Sequence, residues 1–276
     1  MRRVMQDKVA IVTGASSGIG AATARAMARE GIDLVLVARR GDLLEEVASD
    51  VRSLGRRAHV VIDDVADGAH ARRVLDEAMR AFGRFDIVFA NAGYGMERTI
   101  HEMTDDEVRT MFEVNFFASL GLLRAAAVDL IRDRRGGHLL MCSSCVSKFS
   151  LPRHGLYAAT KAAQESVCRA MRFELAHAGI EVASVHPVTT TTEFYQVSAK
   201  RSGVRQAAVP PHARPFFTQS PERVAKAIVS CLYSPRSEVW TSATVRFSAA
   251  LFTLCPWILD AVLRREASRY SSTPSL

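Results

Sequence analysis

Tyr157 and Lys161 stand four residues apart, and Ser144 lies thirteen residues before the tyrosine. On a helix that spacing puts a phenol and an ammonium on one face, within mutual reach. A free tyrosine titrates at about pH 10, too high for effective acid–base catalysis near neutrality. A neighbouring ammonium favours the phenolate and is expected to bring that value down. The chemistry this allows is proton transfer at a carbonyl or alcohol oxygen, with Ser144 orienting or stabilising that oxygen. A lone Tyr-x-x-x-Lys is more often a solvated helix face, so the reading depends on the residues that accompany it.

The first of these is a glycine-rich stretch near the start, Thr13-Gly14-Ala15-Ser16-Ser17-Gly18-Ile19-Gly20. It leaves the apolar run 9–12 and enters the Ala-rich run 21–29, a strand followed by a helix. A strand that turns sharply into a helix needs residues without a Cβ where the backbone bends or approaches a ligand. The helix start then offers unpaired N–H groups and a positive dipole end to a phosphate. Gly14, Gly18 and Gly20, with Ser16, Ser17 and Ile19 among them, are read as the cradle of a dinucleotide pyrophosphate. One wide gap and one narrow gap separate these glycines, unlike the commoner G-x-G-x-x-G.

Residues this far apart need a frame to bring them together. Apolar runs at 33–38, 58–62, 86–89, 138–142, 181–185 and 238–241 read as further strands, and 43–54, 69–82 and 108–131 as helices. The alternation of continuous apolar runs with helices predicts an α/β fold. Its sheet is doubly wound, mostly parallel, of about seven strands, with helices on both faces. Such a sheet binds ligands beyond the carboxyl ends of its strands, near the point where strand order reverses. Arg39-Arg40 falls there after the second strand, Asp64 after the third, Asn91-Ala92-Gly93 after the fourth and Ser143-Ser144 after the fifth.

Thr13 to Gly20, Asn91-Ala92-Gly93, Asn115, Ser144, Tyr157 and Lys161 together resemble the short-chain dehydrogenase/reductase family in its single-domain form, over residues 8–241. The resemblance implies a Rossmann-type fold and an oxidoreductase that interconverts a carbonyl and an alcohol by hydride transfer. It implies Ser144, Tyr157, Lys161 and Asn115 as the catalytic set. Tyr157 gives the proton in reduction and removes it in oxidation, and Lys161 also hydrogen-bonds the nicotinamide ribose. Asn115 holds the long helix and a proton-relay water. Asp64-Val65 corresponds to the family's adenine-contacting pair, and Pro187 and Thr192 fall at the nicotinamide end. Relatives are often dimers or tetramers, so a homo-oligomer is expected.

An acidic residue ending the second strand selects NAD, whereas an arginine nearby accommodates the 2′-phosphate of NADP. Here the strand ends Val37-Ala38-Arg39-Arg40 with no carboxylate. Arg39 can pair bidentately with a phosphate, so NADP(H) is expected ahead of NAD(H). Arg40 either helps or faces water. Asp63 competes with Asp64 for the acidic position, and Ala90 stands where many relatives carry asparagine. A larger departure is His186-Pro187-Val188, where relatives have Pro-Gly. Valine does not take a positive φ cheaply, so this loop follows another path or never needed one.

Substrate information is expected between residues 190 and 218, a substrate loop or lid. It holds Pro210, Pro211 and Pro215, the basic Lys200, Arg201, Arg205 and Arg214, and the aromatics Phe194, Tyr195, Phe216 and Phe217. The aromatics suit an apolar substrate or packing against the body, and His154 is a further candidate for the pocket wall. The tail, residues 243–269, repeats Leu251, Leu254, Cys255, Ile258, Leu259 and Val262 at helical spacing, with Pro256 inside and arginines after. It is too short for a membrane-spanning helix. A helix over the cleft, a subunit contact and a peripheral membrane anchor remain as its readings, the first two preferred.

At 276 residues and 48% hydrophobic, the chain can bury one large α/β core as a single domain without disulfides. Five cysteines give no framework, and Cys142-x-x-Cys145 has no second pair, so neither a metal site nor redox exchange is expected. A reducing cytoplasm fits, and Met1-Arg2-Arg3 runs into the first strand without space for a signal peptide. The net charge of +7 suits an anionic cofactor, and the arginines are too dispersed for a nucleic-acid recognition element. The partner expected is a small, apolar carbonyl or alcohol. A non-catalytic NADP-binding sensor or scaffold is the alternative from another class.

Overall fold

Strict burial along the first two apolar runs shows that their sheet is covered on both sides. Every residue of β1 (Val9–Thr13) and β2 (Asp33–Ala38) is buried. The structure, a computed structural model, describes residues 4–202 and 218–270. Its other strands are β3 (Ala58–Ile62), β4 (Ile87–Ala90), β5 (Gly137–Cys142), β6 (Ile180–His186) and β7 (Glu238–Trp240). All pair in parallel in the order β3-β2-β1-β4-β5-β6-β7. This is the Rossmann-like, seven-stranded parallel sheet that the alternation predicts. Strand order reverses between β1 and β4, which opens a crevice at their carboxyl ends.

Alternation along β1 sends its side chains into two cores. Ala10 and Val12 pack with Met27, Leu44 and Ile228, from α1 (Gly18–Arg29), α2 (Gly41–Ser53) and α8 (Pro221–Tyr233). Val9 and Ile11 pack on the other face with Leu75, Leu122 and Cys168. Those three belong to α3 (His70–Phe82), α5 (Ala118–Arg132) and α6 (Gly155–Glu174).

The helix expected over residues 108–131 is divided. It begins earlier, as α4 (Asp105–Phe112), because Thr104 and Glu107 form a reciprocal capping box that satisfies two N-terminal N–H groups. A π-helical turn over Glu113–Phe117 then interrupts it before α5. The tail is divided too, into α9 (Ala243–Leu254) and α10 (Pro256–Tyr270), since a proline cannot continue the ladder of the helix before it. A short helix, α7 (Phe194–Ser202), was not expected inside the 190–218 segment. Arg205, Pro210, Pro211, Arg214, Pro215, Phe216 and Phe217 lie outside the described residues, as do Met1-Arg2-Arg3.

Candidate active site

The crevice at the β1/β4 switch point opens into a cleft of about 490 Å³. Every candidate catalytic or cofactor-binding residue lines it except Gly20 and Asn115, which are buried. Gly14 takes φ +64°, and a Cβ there would meet Asn91 Nδ2 at 2.9 Å. At Gly20 a Cβ would meet Gly14 O at 2.2 Å, so the turn closes only with glycine. Thr192 lies against Gly18. Asn91 anchors the crevice floor: its amide donates to Thr13 O at 3.0 Å and its backbone N–H to Thr13 Oγ1 at 2.9 Å. The first turn of α1 carries no acidic residue, and the Ser17 side chain does not cap it. Its N–H groups and dipole thus suit an anion, and the loop fits a dinucleotide phosphate.

Arg40, rather than Arg39, engages the glycine loop. Its guanidinium donates to Ser17 Oγ at 2.7 Å, Ser16 Oγ at 3.2 Å and Glu193 Oε2 at 2.8 Å. Arg39 is two-thirds exposed at the mouth, with Asp64 3.5 Å away. Asp63, the competing acid, is committed elsewhere, to His70 Nδ1 at 2.8 Å and Arg73 Nη2 at 2.7 Å. Val188 is not among the residues with positive φ, so the loop after β6 needs no glycine there. Instead Thr190 donates to Val188 O at 2.8 Å, and Gln219 returns to bridge Thr189, Thr190 and Thr191.

The π turn places Asn115 inside the fold with no exposed surface. Its amide oxygen accepts from Tyr94 N at 2.9 Å, and its Nδ2 donates to Tyr94 O at 2.9 Å and Thr160 Oγ1 at 3.2 Å. The Asn115 side chain is therefore a clamp on the loop after β4. The Asn115 backbone carbonyl accepts from Gln164 Nε2 at 2.5 Å. Gln164 Oε1 in turn accepts from Lys161 Nζ at 3.1 Å. An amide side chain thus links lysine to the π turn, with fixed donor and acceptor roles. Sequence reading missed Gln164. Its spacing three residues after Lys161 on α6 was the available signal.

Tyr157 and Lys161 share one face of α6, with Nζ 5.5 Å from the phenol ring centre. The lysine donates to Cys142 O at 2.7 Å as well as to Gln164. Burial pushes the Tyr157 phenol well above its ordinary value, and the Ser144 hydrogen bond offsets only part of that rise. This reverses the lowering expected from the ammonium. The charged form of a phenol loses more by leaving water than it gains from an ammonium beyond the ring. The same burial brings Lys161 down to about 8.

Phe194 of α7 packs against the Tyr157 ring with centres 5.5 Å apart, and Tyr195 against Phe194 at 5.7 Å. Arg201 lies 3.9 Å over the Tyr94 ring on the same side. Leu151, His154 and Val188 line this end of the cleft, giving a largely apolar wall with a few polar groups. The five cysteines are all free, and burial raises Cys145 to about 11, which disfavours thiolate chemistry. Glu193, just before α7, was also missed as a site residue, whereas Arg201 of α7 belongs to the segment expected to carry substrate information.

The sequence matches the short chain dehydrogenase family over residues 8–202. It is 29% identical to an uncharacterized oxidoreductase of Mycobacterium tuberculosis, across 98% of this chain and 76% of that protein. The fold is similar to a short chain dehydrogenase from Mycobacterium paratuberculosis bound to NAD, with a TM-score of 0.74 and 27% identity. That match covers 86% of this chain and 97% of the other. It is also similar to an alcohol dehydrogenase from the archaeon Thermococcus sibiricus complexed with 5-hydroxy-NADP. There the TM-score is 0.73 and identity 30%, covering 85% of this chain and 96% of the other.

Proposed function

The chain belongs to the short-chain dehydrogenase family, and from that premise we propose that it is an NADP(H)-dependent oxidoreductase interconverting an apolar carbonyl compound and its alcohol. The observation that carries the reading is the position of Ser144 and Tyr157 on the wall of the same cleft that the Gly14–Gly20 loop enters. A protein that only bound a nucleotide would need the loop but no proton donor beside it.

In this reading the N-terminus of α1 and the loop N–H groups hold the pyrophosphate, with Arg40 fixing Ser16 and Ser17 in place. Arg39 receives the 2′-phosphate at the mouth, where its guanidinium is exposed. Bound NADPH supplies the hydride. Tyr157 gives its proton to the substrate oxygen, and burial suits that role because it keeps the phenol protonated at neutral pH. Ser144 shares the substrate oxygen with the phenol. Lys161 places positive charge behind the ring and offers a hydrogen bond to the ribose. Phe194, Leu151 and Val188 give the substrate an apolar wall, and of the 190–218 segment the described residues 190–202 stand at the substrate end. The free cysteines suit a reducing cytoplasm.

Replacing Tyr157 by Phe removes the proton donor and keeps the ring that packs on Phe194. Turnover in a screen of NADPH oxidation at 340 nm against ketones, aldehydes, steroids and quinones should fall by about a thousandfold or more. NADPH affinity should change less than about threefold. Wild-type turnover in the variant sinks the assignment.

A further inference from the structure

Among the described residues β7 is the last strand of the sheet, and α9 and α10 follow it. In α9 only Val245 and Ala249 are buried, and Phe252 sets its ring edge-on to Phe149 at 5.7 Å. That contact ties α9 to the loop that follows Ser144. The opposite face is bare. Phe247 is 72% exposed, Leu254 81% and Trp257 70%, with Val262 half-exposed beyond them. Phe247 and Leu254 stand seven residues apart, on one stripe, and Trp257 begins the next helix at the bend. Large apolar side chains so concentrated need a cover.

The helices meet at 103°, so together they describe an L rather than a rod. Neither limb spans a bilayer, since α9 has 12 residues where about 20 are needed. An L with one apolar side can instead lie flat in an interface. Charge decides what that interface is. Residues 243–270 carry Arg246, Arg264, Arg265 and Arg269 against Asp260 and Glu266, and Arg246 and Arg264 are exposed beside the apolar stripe. Apolar residues with a tryptophan at the bend and an arginine rim match acyl chains beneath anionic headgroups.

We propose that the outer face of α9 and α10 seats this protein on an anionic lipid surface. Phe247, Leu254 and Trp257 enter the acyl boundary, and Arg246 and Arg264 stay at headgroup level. The proposal is independent of the reaction assigned to the cleft.

Co-sedimentation of the full chain with vesicles tests it. Phosphatidylcholine vesicles containing phosphatidylglycerol should bind the wild type, and pure phosphatidylcholine about tenfold less. The variant Phe247→Ser/Leu254→Ser/Trp257→Ser should lose about tenfold or more of the binding, with its thermal melting unchanged because all three side chains are exposed. Arg246→Glu/Arg264→Glu leaves the apolar stripe intact and should also weaken binding to the anionic vesicles, by about tenfold. Absence of wild-type binding to anionic vesicles overturns the proposal, as does unchanged binding by a folded triple variant or by the charge-reversed pair. A dimer in sedimentation velocity that the triple variant converts to monomer, without vesicle binding by the wild type, assigns the face to a second copy instead.

Discussion

Lys161 donates to Cys142 O and Gln164 Oε1, and both acceptors are neutral. Neutral acceptors offset only part of the cost of taking an ammonium out of water, so its pKa falls to about 8. Because the folded value is depressed, the charge is present below about pH 8 and is lost as pH rises through that value. Tyr157 shifts the other way and stays protonated over the same range. In the proposed reaction the useful state is an ammonium behind a protonated phenol. The value of kcat/KM for NADPH, which reports the free enzyme, should be flat at low pH and fall tenfold per unit above about pH 8. A profile flat to pH 10 removes Lys161 from the chemistry. Gln164 bears on the same lysine, because its amide fixes Nζ relative to the π turn and leaves the Asn115 carbonyl already hydrogen-bonded.

The π turn is the element on which this site depends. One extra residue between α4 and α5 turns Asn115 inward to meet both backbone groups of Tyr94. Truncating it to Ala leaves the Tyr94 N–H and C=O buried without those partners, each costing about 1–3 kcal/mol. Asn115→Ala should lower the unfolding free energy by about 2–4 kcal/mol in urea titrations, and loss of under about 0.5 kcal/mol would show the clamp to be incidental. The apolar pattern of residues 108–131 does not reveal such a turn, because residues 116–131 are apolar at most positions and a shifted stripe leaves no visible break. Apolar spacing alone misplaces the start of α4, although Thr104-Asp105-Asp106-Glu107 carries a capping signature. The helix α8 was not anticipated either, although Ser220-Pro221-Glu222 carries a start signal for it. The strands were the clearest, since parallel strands buried on both faces read as unbroken Val, Leu and Ile. Convergence of the glycine loop, Asn91 and Ser144 on one cleft follows from their shared place at strand ends, and α6 brings Tyr157 in beside them. Arg40 bonding Ser16 and Ser17, and Gln164 holding the lysine, depend on rotamers and helix register, which spacing alone leaves open.

Across the whole molecule the cleft is also a lever on stability. A nucleotide that binds only the folded chain stabilises it by about 2.7 kcal/mol at a hundred times its dissociation constant. For a chain of this size that corresponds to a melting rise of about 5 °C. The two cofactor forms differ only at the 2′ position, which Arg39 faces in the proposed pose. Its exposure and single long contact with Asp64 mean that the fold itself gains little from this guanidinium. Arg39→Ala should therefore leave the melting temperature of the protein without nucleotide within about 1 °C of the wild type. With nucleotide, the wild type should melt several degrees higher in NADPH than in equimolar NADH, and the variant should lose most of that difference while its response to NADH persists. Thermal shift measurements across a concentration series separate the terms. Equal shifts from the two nucleotides in the wild type would place cofactor discrimination elsewhere than at the end of β2, and with it the case for NADP.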